Sequence, residues 1–167
     1  MKKCVFASLS LLFLISFVLS YTSILAFPSK LNKEEKLVTN CTENYIGHLS
    51  HVRMRGKEKQ SPKEEVTATV TRTVSGEITL QMSLPKIGKM PGRMRIYAPH
   101  IKVDRTGYFR QTVKDALIMK MLFSHKYNAE IEGRIGDRSF SFTFKTIKAT
   151  YLGVDVSAEF EFVGCLK

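Results

Sequence analysis

Near the C-terminus every second residue is apolar. Phe140, Phe142 and Phe144 alternate with Ser and Thr, and Val154, Val156, Ala158, Phe160 and Phe162 alternate with Asp155, Ser157, Glu159 and Glu161. A period of two gathers apolar side chains on one side of a strand and on no single face of a helix. Strands of this kind bury one face and wet the other, as antiparallel sheets do. The alternation recurs upstream. Val66, Ala68 and Val70 interleave with threonines, and after Ser75-Gly76 the residues Ile78, Leu80 and Met82 interleave with Thr79, Gln81 and Ser83, which predicts a hairpin. Tyr127, Ala129, Ile131 and Gly133 alternate with Asn128, Glu130, Glu132 and Arg134, and Gly136-Asp137-Arg138 turns this strand into the phenylalanine one.

Three segments depart from the simple pattern. Tyr45 to Arg55 reads as a first strand whose apolar frame slips between Leu49 and Val52, the sign of a bulge. Two prolines and two glycines make 85–92 a loop, after which Met94, Ile96 and Ala98 form a strand that Pro99 bends before Ile101 and Val103. In 111–124, Val113, Leu117, Met121 and Phe123 also fit helical spacing, so this stretch reads as an irregular strand or a short helix. The count is about eight strands joined mostly by short turns. It predicts an all-β chain folded as a single antiparallel up-and-down β-barrel; a β-sandwich or an OB-like barrel is the alternative.

The N-terminus has Lys2 and Lys3, an apolar run from Cys4 to Leu19, and small residues ending at Ala26, the layout of a secretory signal. Residues 1–26 are therefore expected to be a signal peptide, 27–43 a tether and 44–167 the barrel domain, exported to a periplasmic or extracellular site. A retained N-terminal anchor is the alternative, since Cys4 to Ala26 is long enough to cross a bilayer. A lipoprotein is not expected, because Cys4 precedes the apolar run. Subtracting Lys2 and Lys3 from 26 basic residues leaves 24 against 15 acidic ones, a formal charge of +9. Two cysteines, Cys41 and Cys165, remain, an even number for an oxidising compartment. An even-stranded barrel brings its first and last strands together at one rim, so a Cys41–Cys165 disulfide is expected to fasten the closing seam. The alternative is two free, buried thiols. Asn40-Cys41-Thr42 matches an N-glycosylation acceptor, a match that is common by chance.

Several segments together resemble the calycin-like (lipocalin-like) β-barrel domain of exported bacterial proteins. They are Tyr45-x-Gly47-x-Leu49, Val74-Ser75-Gly76-Glu77-Ile78-Thr79-Leu80, Tyr97-Ala98-Pro99-His100-Ile101 and Leu152-Gly153-Val154-Asp155-Val156-Ser157-Ala158. The resemblance covers about residues 44 to 163. It implies an eight-stranded barrel with an internal cavity, and it carries over no catalytic residue. The chain departs from it in lacking a lipoprotein cysteine, in its terminal cysteine pair and in the long apolar 111–124 segment.

Catalytic chemistry finds little support. His48 and His51 form an H-x-x-H pair, but on a strand an offset of three places them on opposite faces unless the bulge intervenes. His100 and His125 are isolated. Glu130 with Glu132, and Glu159 with Glu161, share faces opposite the apolar set, where a solvated surface outweighs a glycosidase dyad. G-x-S-x-G, H-E-x-x-H, P-loop and C-x-x-C signatures do not occur. No enzyme activity, metal or cofactor is expected.

The basic bias is more informative. Lys86, Lys89, Arg93, Arg95 and Lys102 fall in a stretch without acids, and Arg53, Arg55, Lys57, Lys59 and Lys63 add a cluster diluted by Glu58, Glu64 and Glu65. The first set is expected to form an anion-steering rim for an anionic ligand, a lipid headgroup, an acidic glycan or an anionic envelope surface, against the plain alternative of a solubilising surface. Tyr97, Tyr108 and Phe109 among these cations would suit a nucleic-acid-binding OB-fold, but export argues against that partner. Tyr127, Phe140, Phe142, Phe144, Phe160 and Phe162 either line an apolar cavity or fill the barrel. The expectation is an exported non-enzymatic barrel that binds a small apolar or amphipathic anionic ligand, lipid-like, in its interior or at its basic rim. The alternative is a structural or protein-interaction module of the cell envelope with a side-chain-filled barrel.

Overall fold

The computed structural model describes residues 40–87, 92–120 and 123–167. The expected signal segment and the tether as far as residue 39 lie outside the described residues. Eleven strands occur and no helix among those described: β1 (Cys41–Met54), β2 (Lys57–Glu58), β3 (Val66–Arg72), β4 (Glu77–Leu84), β5 (Arg93–Lys102), β6 (Tyr108–Lys120), β7 (Ser124–Ile135), β8 (Ser139–Thr146), β9 (Thr150–Tyr151), β10 (Val154–Asp155) and β11 (Ala158–Leu166). Eight long strands pair antiparallel in the order β1-β3-β4-β5-β6-β7-β8-β11, and β11 returns to pair with β1, closing a barrel. Two-residue β2 lies outside this ring against the end of β1, and β9 and β10 form a separate small hairpin.

Alternation in sequence becomes alternation in burial. Leu80, Ile96, Ile131, Phe140, Phe144, Phe160 and Phe162 are fully buried, while the intervening residues face outward. Removing a large apolar side chain from water contributes about 1.5–3 kcal/mol, so this inner layer is the main stabilising element. Three residues with left-handed backbone, His51 (φ 49°), His100 (φ 57°) and Asp115 (φ 56°), sit where the strand register shifts. Such bulges bend and twist strands, which closing a sheet into a barrel requires. Each bulged side chain reaches across to the next strand. His51 Nδ1 is 3.0 Å from Glu161 Oε2, His100 Nδ1 is 3.0 Å from Glu77 Oε2, and Asp115 Oδ2 is 3.9 Å from Lys126 Nζ.

Pro99 lies within β5, where a missing N–H would leave a gap in the ladder. Backbone pairing between β5 and β6 runs only from Arg93 to Ile96. Beyond it the Gln111 carboxamide stitches the seam, accepting from the Lys102 N–H and donating to the His100 carbonyl, each at 3.2 Å.

Of the two readings of 111–124 the irregular strand holds: as far as Lys120 it is strand, with a bulge at Asp115, and β7 starts at Ser124. Three expectations are corrected. The strand read from Val154 begins only at Ala158, because Asp155 accepts from the Ser157 N–H (2.7 Å) and hydroxyl (3.1 Å) and turns the chain. The barrel starts at Cys41 rather than at residue 44.

The third concerns the cysteines, which share a rim but are free and exposed. Cys165 opposes Ile46, whereas Cys41 overshoots β11 and opposes Arg72 of β3. Five residues of strand, roughly 17 Å at about 3.4 Å each, separate the two levels, far beyond the Cα spacing of about 7 Å that a disulfide tolerates. The seam closes instead by β1–β11 pairing from Tyr45↔Leu166 to Met54↔Ala158, with Gly47 opposite Gly164. A Cβ on Gly47 would lie 2.1 Å from the Val163 carbonyl oxygen, and one on Gly164 would lie 2.8 Å from that of Ile46.

The connections sort by length. Turns after β3, β5 and β7 are short and form one rim. The connections after β1, β4 and β8 are longer and, with the β6–β7 link, lie at the other, here termed the long-connection rim.

Candidate functional site

The phenylalanines expected to line a cavity pack against one another. Phe144 stacks on Phe160 with centroids 5.1 Å apart, Phe142 contacts Phe140 at 5.3 Å and Phe162 at 5.4 Å, and Phe140 meets Tyr45 at 5.2 Å. These distances are those of aromatic rings in contact, so at this level side chains occupy the barrel. Tyr45 adds a polar tip: its hydroxyl donates to Glu43 Oε2 (2.8 Å), which also accepts from Arg72 Nε (3.0 Å). Burial, together with the bond to Glu43, pushes this phenol above its usual range.

Tyr127 stands apart from the stack, toward the long-connection rim and beyond the end of β8. Burial raises its phenol, and Tyr151 adds to the effect. Its hydroxyl is buried without a hydrogen-bond partner among the described residues, as is Nε2 of His125, whose ring meets Tyr151 edge-on at 4.7 Å. A polar atom in that position costs about 1–3 kcal/mol. His125 reads as isolated in sequence, and nothing in the alternation singles out Tyr151, because the β9–β10 hairpin that brings it there has no pattern of its own.

The five cations expected to form one anion rim are divided by the fold. Lys86 lies at the long-connection rim in a pocket of about 350 Å³ that it shares with Lys59, Lys63 and Pro62. Arg93 opens β5 at the same rim, directly opposite Lys120 of β6. Like charges facing across a ladder repel, so both side chains favour directions away from each other and out to solvent. Arg95 is on the outer wall and donates to Gln81 Oε1 at 2.7 Å. Lys102 is excluded from the rim: it ends β5 beside Glu77 at the opposite end, nine residues and roughly 30 Å from Arg93. Lys89 lies outside the described residues.

Several carboxylates and one histidine of the outer wall are engaged with each other, with a cation or with a tyrosine. Arg110 bonds Glu130 Oε1 through Nε (2.9 Å) and Nη2 (2.7 Å), Tyr108 donates to Glu132 Oε1 (2.8 Å), and Glu161 meets His51. The bulge leaves both His48 and His51 exposed. Among the described residues no group of three or more His, Cys, Asp or Glu side chains is placed to hold a metal ion.

Fold and site together define a closed eight-stranded antiparallel barrel with an aromatic core and a cationic rim. No family model, curated protein or solved structure matches the chain.

Proposed function

We propose that this chain is an exported, non-enzymatic, calycin-like barrel that binds an amphipathic anion at its long-connection rim. The observation that carries the reading is the pocket where Lys59, Lys63 and Lys86 converge with no carboxylate in its lining. Three lysines lining one concavity favour a phosphate- or carboxylate-bearing headgroup. The unpartnered Tyr127 hydroxyl and His125 Nε2 at the same rim add polar atoms that a ligand can satisfy. With phenylalanine rings packed in the middle of the barrel, an apolar tail lies along the rim rather than deep inside.

Calorimetric titration with dodecyl phosphate tests this, with a non-ionic detergent of the same chain length as control. Wild-type protein is expected to bind the phosphate in preference to the control. The combined variant K59Q, K63Q and K86Q is expected to bind it at least about tenfold more weakly, a change of about 1.4 kcal/mol. Equal affinity of wild type and variant would overturn the reading.

The packed phenylalanine core also favours a second reading, a structural or protein-interaction module of the cell envelope with a side-chain-filled barrel.

A further inference from the structure

One corner of the long-connection rim exposes the apolar residues that a stable fold would hide. The β9–β10 hairpin turns through Leu152 (φ 48°) and Gly153 (φ 76°), the two central residues of a two-residue turn that Asn-Gly fills at least cost. A leucine there bears the steric penalty of left-handed backbone, and at 86% exposure it recovers nothing by burial. Phe123, at the β6–β7 turn, is 73% exposed. The contact between Tyr151 and His125 holds the two tips side by side, since Tyr151 precedes Leu152 and His125 follows Phe123 by two residues. Val154, also exposed, continues the same surface.

Cations flank these tips. Lys120 and Lys148 are exposed and make no ion pair among the described residues, and Lys126 meets Asp115 only at 3.9 Å. The nearest acid on the hairpin, Asp155, is turned onto Ser157. Apolar side chains projecting past a collar of lysines match an anionic bilayer surface, where the tips enter the acyl boundary and the ammonium groups meet phosphates. Water alone satisfies the lysines but not Leu152.

We propose that this corner docks the protein on an anionic lipid surface, with Leu152 and Phe123 inserted. The inference rests on the rim-binding reading but uses residues other than the Lys59, Lys63 and Lys86 pocket. The chain contains no tryptophan, so an indole introduced by L152W reports its own surroundings in the full-length protein. F123W serves as a second reporter, and V74W, on the opposite rim, as the control.

On adding vesicles of phosphatidylcholine with phosphatidylglycerol, L152W and F123W emission is expected to shift to the blue and to be quenched by brominated acyl chains, with V74W unchanged. Vesicles of phosphatidylcholine alone are expected to give little shift. K120Q and K148Q should each weaken the response about fivefold. The proposal is overturned if neither rim reporter shifts, if V74W shifts equally, or if lipid charge makes no difference. A blue shift that grows with protein concentration in the absence of vesicles would assign the corner to a second copy of the chain instead. If L152W stays unshifted while dodecyl phosphate binding still depends on Lys59, Lys63 and Lys86, lipid docking alone falls. Loss of both would remove the rim reading itself.

Discussion

A glycine faces a glycine where the barrel closes, and the distances leave no alternative residue at Gly47. A methyl group there meets backbone on the neighbouring strand, which moves only if the seam opens. We expect Gly47→Ala to lower stability by about 1–3 kcal/mol, the range for overpacking a site that cannot relax, read as an earlier urea midpoint; an unchanged midpoint would show that the seam is loose. At this scale the sequence is legible where one side chain's face follows from its parity. Phe140, Phe142, Phe144, Phe160 and Phe162 point inward as alternation requires. Contact between residues far apart in the chain depends on register, which no local pattern encodes. Cys41 and Cys165 therefore share a rim yet miss each other by five residues of strand, and Lys102, near Arg93 in sequence, sits at the other end of an extended strand.

Elements were harder to delimit than to find. Val113, Leu117 and Met121 are four residues apart, a spacing that fits both a helix face and every second step of a strand, so periodicity alone cannot separate the two in 111–124. The run from Val154 to Phe162 alternates without a break, but Asp155 interrupts it by a side chain–backbone bond that alternation does not report. That bond also controls the β9–β10 hairpin. Bonds from the Ser157 N–H and hydroxyl hold the Asp155 carboxyl below its ordinary value of 3.8. Because the folded value lies below the unfolded one, the carboxylate's stabilisation is complete above the ordinary value and fades as pH falls through and below it. Amide-exchange protection at Val156, whose N–H bonds the Ala149 carbonyl at 2.9 Å, is expected to be constant from neutral pH to about 5 and to decline below about 4. Asp155→Ala should lower that protection already at neutral pH and flatten its acid dependence. Identical profiles for the two proteins would detach the hairpin from Asp155.

At the scale of the molecule, an even number of strands and the closure of first on last follow from the strand count, and the structure has both. The distribution of charge does not follow from sequence, because it depends on which connections share a rim. The β3–β4 hairpin already sets the β2–β3 connection beside Lys86, and with it Lys59 and Lys63, while Lys102 and Arg95 are sent elsewhere by the length and outward face of β5. The closed barrel also separates a packed aromatic core from a rim able to meet an anion. The measurement that tests this account most directly is backbone amide chemical-shift mapping during titration with dodecyl phosphate. The account predicts perturbations concentrated at Lys59, Lys63, Lys86 and the start of β7, with the short turns after β3, β5 and β7 unmoved. Perturbations centred on those short turns, or on the phenylalanines in the middle of the barrel, would contradict it.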